Sequence, residues 1–304
     1  MTAQPVTKQL ILFIAAPVPA TFDSLKVLQS SPYEIIFFTD TKTKMSDADR
    51  AALTPLVKDI IVCDTSVPLT IQKSLLPYQD LLAGVTCRAE NQIPTFKRVI
   101  PHLPYLRTPT TESLDWATDK IWMRRRFAAH NRKITPAYSL VSDTSPESLT
   151  KIANKVGFPA IVKPTGLAAS RLVSIVYHED ELKTVLDRVF RSIGAAYKEN
   201  GYQNEPQVLV EQFMEGEMYS IEGFVTSRGK TYFCPLVHVK TGRSIGFDDF
   251  FGYQQMTPTT LRAPSIAAAE SVAAEAVHAL GLRSTTVHIE LMKTEDGWKI
   301  IELG

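Results

Sequence analysis

Over its first hundred residues the chain alternates short apolar runs with amphipathic ones, and that alternation restricts the fold more than any other feature. Gln9–Ala15, Tyr33–Phe38, Asp59–Cys63 and Leu81–Thr86 read as strands. Phe22–Gln29, Ser46–Leu56, Leu69–Leu76 and Gln92–Val99 read as helices, with Thr21 the expected cap of the first. Strands and helices in this order imply a parallel sheet covered by helices. No Gly-x-Gly-x-x-Gly run occurs here. A dinucleotide site at the first turn, and with it an oxidoreductase of that type, is unsupported.

Pro101, Pro104 and Pro109 then cluster, and the domain boundary is placed there, giving 1–108 and 109–304. Leu114–His130 reads as one helix capped by Ser113. Its Arg124, Arg125 and Arg126 spread over roughly 200° of circumference, which suits a solvated face with local ion pairs. Beyond it the grammar changes. Tyr138–Val141 is a strand, and Ser145-Pro146 opens a helix striped by Leu149, Ile152, Ala153 and Val156 and stopped by Gly157. Ala160–Lys163, Val173–Tyr177 and Val208–Gln212 are strands, and Glu179–Lys198 is helical. Met218–Val225 and Lys230–Val239 form a hairpin. Ile266–Leu280 is a helix, and Thr286–Met292 and Lys299–Leu303 are strands joined at Glu295-Asp296-Gly297. Thr241–Thr260 has no clear secondary structure but many aromatic residues, and is expected to line an acceptor pocket. His238 and Lys240 are candidates to face that substrate.

Composition excludes several classes. Lys plus Arg total 33 against 32 Asp plus Glu, a net charge of +1, so no basic field argues for nucleic acid. No apolar run approaches the ~20 residues of a membrane span. Leu10–Ala20 follows Lys8 in the manner of a signal sequence, but the strand–helix rhythm continues past it and it reads as the first buried strand. Cys63, Cys87 and Cys234 are widely spaced, with no Cys-x-x-Cys pair. Free thiols and a reducing, cytoplasmic location are expected.

Three segments carry chemistry. Glu290 and Glu302 each interrupt an apolar strand, and pairing the two strands can place both carboxylates side by side on one face. Like charges held together call for a cation between them, and oxygen donors suit Mg²⁺. His288 alternates with Glu290 and shares its face, and Glu222 is a further candidate for the cleft. Lys163 ends a strand and is followed by Pro164 and a loop of small residues, where it can reach a phosphate. Val208–Gln212 ends in Glu211, Gln212, Phe213 and Met214, a polar strand end with apolar cover that suits a purine base.

In order and spacing, the stretch Leu114–Gly304 resembles the ATP-grasp fold of biotin carboxylase, D-alanine–D-alanine ligase and the L-amino-acid ligases. The matching elements are Asp119-Lys120, Val162-Lys163-Pro164 with the loop to Ser170, Glu211–Met214, and Glu290 with Glu302. The resemblance implies a mixed α/β and α+β architecture. An ATP-grasp domain, with a lid at about 137–207 and a C-terminal subdomain at 208–304, follows a Rossmann-like parallel α/β domain. It implies ATP and Mg²⁺ (or Mn²⁺) as cofactors. Lys120 and Lys163 would take the phosphates, Ser170 and its loop would close over them, and Glu211, Gln212, Phe213 and Met214 would bind adenine under Met292. Glu290 and Glu302 would hold the metal. Glu90 sits where such families place a glutamate near the nucleotide.

Two positions depart from the pattern. Met218 occupies a slot where relatives carry an acidic ribose ligand, so Glu217 is the substitute. Gly304 stands where Asn is usual, and the arginine that steadies the acyl phosphate is expected beyond it, in a longer reading frame. The activity implied is a carbon–nitrogen ligase that releases ADP. It would join a small carboxylate to an amine through an acyl phosphate, and the resemblance implies a homodimer. A biotin-carboxylase-like subunit and a nucleotide-binding pseudoenzyme are the alternatives.

Overall fold

The computed structural model describes residues 9–165, 172–199, 205–247 and 249–304. The chain divides into two compact units, Met1–Leu114 and Asp115–Gly304.

In the first unit, β1 (Leu10–Ile14), α1 (Pro19–Leu28), β2 (Glu34–Asp40), α2 (Asp47–Leu53), β3 (Asp59–Cys63), α3 (Pro68–Leu75), β4 (Leu82–Cys87) and α4 (Ile93–Val99) follow the expected alternation. The four strands are parallel, in the order β3-β2-β1-β4. Both faces of the sheet are covered, so β2 is buried along nearly its whole length, as its unbroken apolar run Ile35–Phe38 demands. Leu12, Ile14, Ile36 and Phe38 face one core; Phe13, Ile35 and Phe37 face the other. Helix α1 begins earlier than its periodicity suggests. Val18 is its N-cap residue and Pro19 its first residue, which leaves Thr21 buried inside the helix rather than capping it. Helix α2 is closed by a reciprocal capping box between Ser46 and Asp49. Asp40 ends β2 and accepts from Lys42 N, Thr65 N and the Thr65 hydroxyl.

The sequence shows a single helix over Leu114–His130; the structure breaks it at Asp119. Helix α5 (Thr111–Thr118) starts on Thr110, whose hydroxyl accepts from Ser113 N. Helix α6 (Lys120–His130) starts on Asp119, whose carboxylate accepts from Ile121 N at 2.8 Å and Trp122 N at 3.1 Å. Asp119 is thus a cap that makes Lys120 the first residue of a new helix.

The second unit holds two antiparallel sheets. The smaller has the order β5-β8-β6-β7, from β5 (Tyr138–Val141), β6 (Ala160–Pro164), β7 (Ser174–Val176) and β8 (Val208–Gln212). Helices α7 (Pro146–Val156) and α8 (Glu179–Glu199) pack on it through Leu149, Ile152, Val156, Leu182, Leu186 and Val189. Ser145 caps α7, and Gly157, at a φ of 76°, ends it.

The larger sheet runs β12-β11-β9-β13-β14, formed by β9 (Glu217–Val225), β10 (Thr231–Phe233), β11 (Val237–Thr241), β12 (Gly252–Met256), β13 (Thr285–Thr294) and β14 (Gly297–Leu303), with β10 paired to the far end of β9. The strand expected over Lys230–Val239 is broken at 234–236, and its halves pair with opposite ends of β9. Strand β12 lies in the segment that shows no pattern. All five of its residues are exposed at the sheet edge, so burial leaves no periodicity to read. Helix α9 (Ala263–Ala279) lies on the core face through Ala269, Ala273 and Ala276, small side chains that let it pack close to the sheet. No helix among the described residues is long and apolar enough to cross a membrane.

Gly216 has a specific duty between β8 and β9. Its φ is 154°, and a Cβ there would strike the carbonyl of Lys293. Gly216→Ala is expected to lower stability by about 1–3 kcal/mol from backbone strain alone. Urea denaturation measures it, and an unchanged midpoint would show that the turn tolerates a side chain.

Candidate active site

Lys120, Arg124 and the pair Glu290/Glu302 converge with Lys163 and Glu211 where helix α6 meets both sheets of the second unit. Lys120 Nζ lies 2.6 Å from Glu302 Oε1. Lys163 Nζ, at the end of β6, lies 2.5 Å from Glu211 Oε2. Arg124 grips the same carboxylate at both oxygens, Nε to Oε1 at 2.6 Å and Nη2 to Oε2 at 3.1 Å. Arg124 and Glu211 are each 1% exposed. Burial by itself would raise the Glu211 carboxyl, but Arg124 and Lys163 outweigh it and hold the group down at about 2. Burial pulls the Lys163 ammonium below the usual lysine range, with Glu211 opposing. For Glu302 too, burial is outweighed, chiefly by Lys120, and its carboxyl sits below the usual range.

Glu290 and Glu302 are direct partners across β13 and β14, side by side on one face. The cations they call for are present in the protein. Lys120 serves Glu302, and His288 lies between Glu290 (Nε2–Oε1 3.7 Å) and Glu222 (Nδ1–Oε1 2.6 Å). Glu290 and Glu222 together push the imidazole up to about 9 against its partial burial, so it is charged at neutral pH. His288 and Glu222 are cross-strand partners on the same face, as are Met292 and Met218. That face therefore runs from two methionines through two carboxylates to a histidine–glutamate pair. Among the described residues no group of three or more His, Cys, Asp and Glu is gathered for a metal. Two facing, partly exposed carboxylates are nevertheless the kind of oxygen donors that Mg²⁺ uses in nucleotide sites, where water and phosphate oxygens complete its shell, so the residues fit that ion.

Other expected residues fall elsewhere. The Glu211 carboxylate, expected at the adenine, is instead consumed by Arg124 and Lys163, because an unpaired carboxylate at that depth is costly. Gln212 N and Phe213 N donate to Ala137 O (2.8 Å) and Pro159 O (3.0 Å), and Met214 follows at the strand end. Glu217, expected at the ribose, alternates away from Met218. It accepts from the Tyr219 hydroxyl at 3.1 Å and lies 3.9 Å from Lys293, so the geometry does not bring it to the face of Glu290. Ser170 and its loop lie outside the described residues. His238 stacks on Tyr219, 4.8 Å between ring centroids, on the face opposite to Glu290.

Arg124 is the residue that sequence reasoning missed. The three arginines part company. Arg125 lies over Trp122, Arg126 lies over Trp116 and donates to Ala279 O, and Arg124 turns inward with Ile121 and Phe127. Its spacing from Lys120, one helical turn, and from the apolar Ile121 and Phe127 was the available signal. Arg243 was missed as well. Its guanidinium lies 5.8 Å from the Phe213 ring and 5.9 Å from that of Phe250, and Nη2 donates to the Tyr177 hydroxyl at 3.3 Å.

Residues 156–304 match the family model described as the ATP-grasp domain. An uncharacterized protein, y4rH of Sinorhizobium fredii, is 29% identical over 227 residues, covering 73% of this chain and 43% of that protein. The chain thus spans less than half the length of this curated relative. Among solved structures, an L-amino acid ligase from Bacillus licheniformis superposes with a TM-score of 0.68 at 17% identity, covering 98% of this chain and 67% of that one. Phosphoribosylglycinamide synthetase from Anaerococcus prevotii gives 0.67 at 18% identity, covering 97% and 67%. At such identities the likeness is one of fold. Together with the matched segment, it establishes that residues 156–304 of this chain form an ATP-grasp domain.

Proposed function

We propose that the chain is an ATP-dependent carboxylate–amine ligase. The observation that carries this reading is the convergence of Lys120 and Lys163 with the facing carboxylates Glu290 and Glu302 where helix α6 meets both sheets. The lysines are suited to the phosphates of ATP, and Ser170, which lies outside the described residues, is proposed as a further phosphate ligand. Gln212, Phe213 and Met214, with Met218 and Met292, are suited to the adenine. Glu290 and Glu302 would hold Mg²⁺, which when bound neutralises phosphate charge. Lys120 would then leave Glu302 for a phosphate oxygen, one anionic partner replacing another, while His288 keeps Glu290 oriented.

In the reaction, a carboxylate oxygen of the first substrate attacks the γ-phosphorus and ADP departs, giving an acyl phosphate. An amine then attacks the acyl carbon, loses a proton and displaces inorganic phosphate. The cationic cluster favours the first step by stabilising charge that grows on the transferring phosphoryl group. The segment 241–260, whose Arg243 lies 5.8 Å from the Phe213 ring, is suited to the acceptor side. The parallel α/β unit, read as 1–108, precedes the ATP-grasp unit, read as 109–304.

The test is phosphate release from Mg-ATP with pooled small carboxylates, with and without pooled amino acids. Release is expected only with both pools. Release with bicarbonate and a biotinyl carrier instead would move the assignment to carboxylase chemistry. A rise in melting temperature with Mg-ATP but no release from any pool would make the chain a nucleotide-binding protein without turnover.

A further inference from the structure

The hairpin β13–β14 is not regular, and its irregularity determines where Glu302 points. From the turn, Thr294 pairs with Gly297, Lys293 with Trp298, Met292 with Lys299 and Leu291 with Ile300. The next pairs are Glu290 with Glu302 and Ile289 with Leu303, so Ile301 has no partner across the ladder. That is a β-bulge. In an unbroken ladder Glu290 would face Ile301, and Glu302 would join Leu303's neighbours on the face packed with Ile289, Leu291 and Ile300. The extra residue thus turns the second carboxylate out of the core and onto the face of the first.

A bulge interrupts ladder pairing and exposes carbonyls that need donors. In a regular strand successive carbonyls point to opposite edges. Here the carbonyls of Ile300 and Ile301 both reach one guanidinium, Arg124 Nη1 at 3.2 Å and Nη2 at 2.6 Å. The remaining donors of that guanidinium hold Glu211, which in turn holds Lys163. A lysine at 124 has one point charge and no planar fork with which to serve all four acceptors.

We infer that Arg124 is a positioning residue of the metal and phosphate site: its guanidinium pins the bulge at Ile301 that sets Glu302 beside Glu290, and through Glu211 it sets Lys163. This rests on the ligase reading above, and the test separates the two. Mn²⁺ binding in the presence of a non-hydrolysable ATP analogue is read from the free-ion electron paramagnetic resonance signal, with melting temperature recorded alongside. Wild type that binds no Mn²⁺ with the analogue would sink the ligase reading itself.

Given wild-type binding, Arg124→Lys is expected to weaken Mn²⁺ affinity at least tenfold. The exchange Ile301→Glu with Glu302→Ile leaves Arg124 and its bulge in place and puts the carboxylate at the unpaired position, so Mn²⁺ binding is expected to be lost. Both exchanged positions are half-buried, and the pair keeps its composition, so this variant decides the matter even where Arg124→Lys does not fold. Wild-type Mn²⁺ affinity in either variant would overturn the inference, because the strand would have re-registered freely or held its bulge without the guanidinium.

Discussion

Glu211→Ala is expected to remove about 3–5 kcal/mol of stability, because it leaves the buried Arg124, and Lys163 beside it, without their shared counter-charge. Urea denaturation at neutral pH is the measurement. The triple replacement of Arg124, Lys163 and Glu211 by Met is expected to recover part of the loss, since it withdraws the three buried charges together and leaves only the Ile300 and Ile301 carbonyls without their donor. A single replacement within 1 kcal/mol of wild type (about the worth of an exposed pair) would mean that the carboxylate is reached by solvent. The same group predicts an acid limb. Its folded value of about 2 lies below the unfolded 4.5. Its contribution is therefore complete above 4.5 and is lost as pH falls toward about 2. The stability gap between wild type and Glu211→Gln should narrow across that window; a constant gap would assign acid unfolding to other carboxylates.

Lys163→Met should leave the fold and abolish most of the activity. Arg124 still holds both oxygens of Glu211, so no buried carboxylate is orphaned. The replacement keeps the stem and deletes the charge offered to a transferring phosphoryl group, an interaction of the kind worth about 10²–10³ in kcat. Phosphate release and circular dichroism together check it. A folded variant with wild-type turnover would remove Lys163 from the phosphate site and leave it as the counter-ion of Glu211.

How much was legible follows the range of each signal. The parallel unit announces itself through unbroken apolar runs such as Ile35–Phe38, because a strand buried on both faces has no choice of composition. Ser145, Pro146 and Gly157 bracket α7 by local chemistry alone. Lys163 at its strand end was visible for the same reason, and so was the pairing of the strands that carry Glu290 and Glu302, but not the bulge that makes the two carboxylates face each other. The misses are tertiary. Arg124 looks like one of three surface arginines until β8 and β14 are packed against it. The fate of the Glu211 carboxylate depends on partners 87 and 48 positions away in the chain, Arg124 and Lys163. Strand β12 is exposed throughout, and Asp119 breaks a helix whose apolar stripe continues on either side of it.

The bulge has a consequence for reading other chains, and it is a matter of parity. Across a hairpin with two turn residues, cross-strand partners are separated by odd numbers of positions, as Thr294 and Gly297 are by three. Glu290 and Glu302 are separated by twelve, an even number, and still face each other. Two carboxylates at even separation around such a turn lie on opposite faces unless one residue is looped out between them. A chain of this architecture that keeps the even spacing must therefore also supply donors for the carbonyls of its odd residue, and one that shortens the hairpin by a single position can dispense with them.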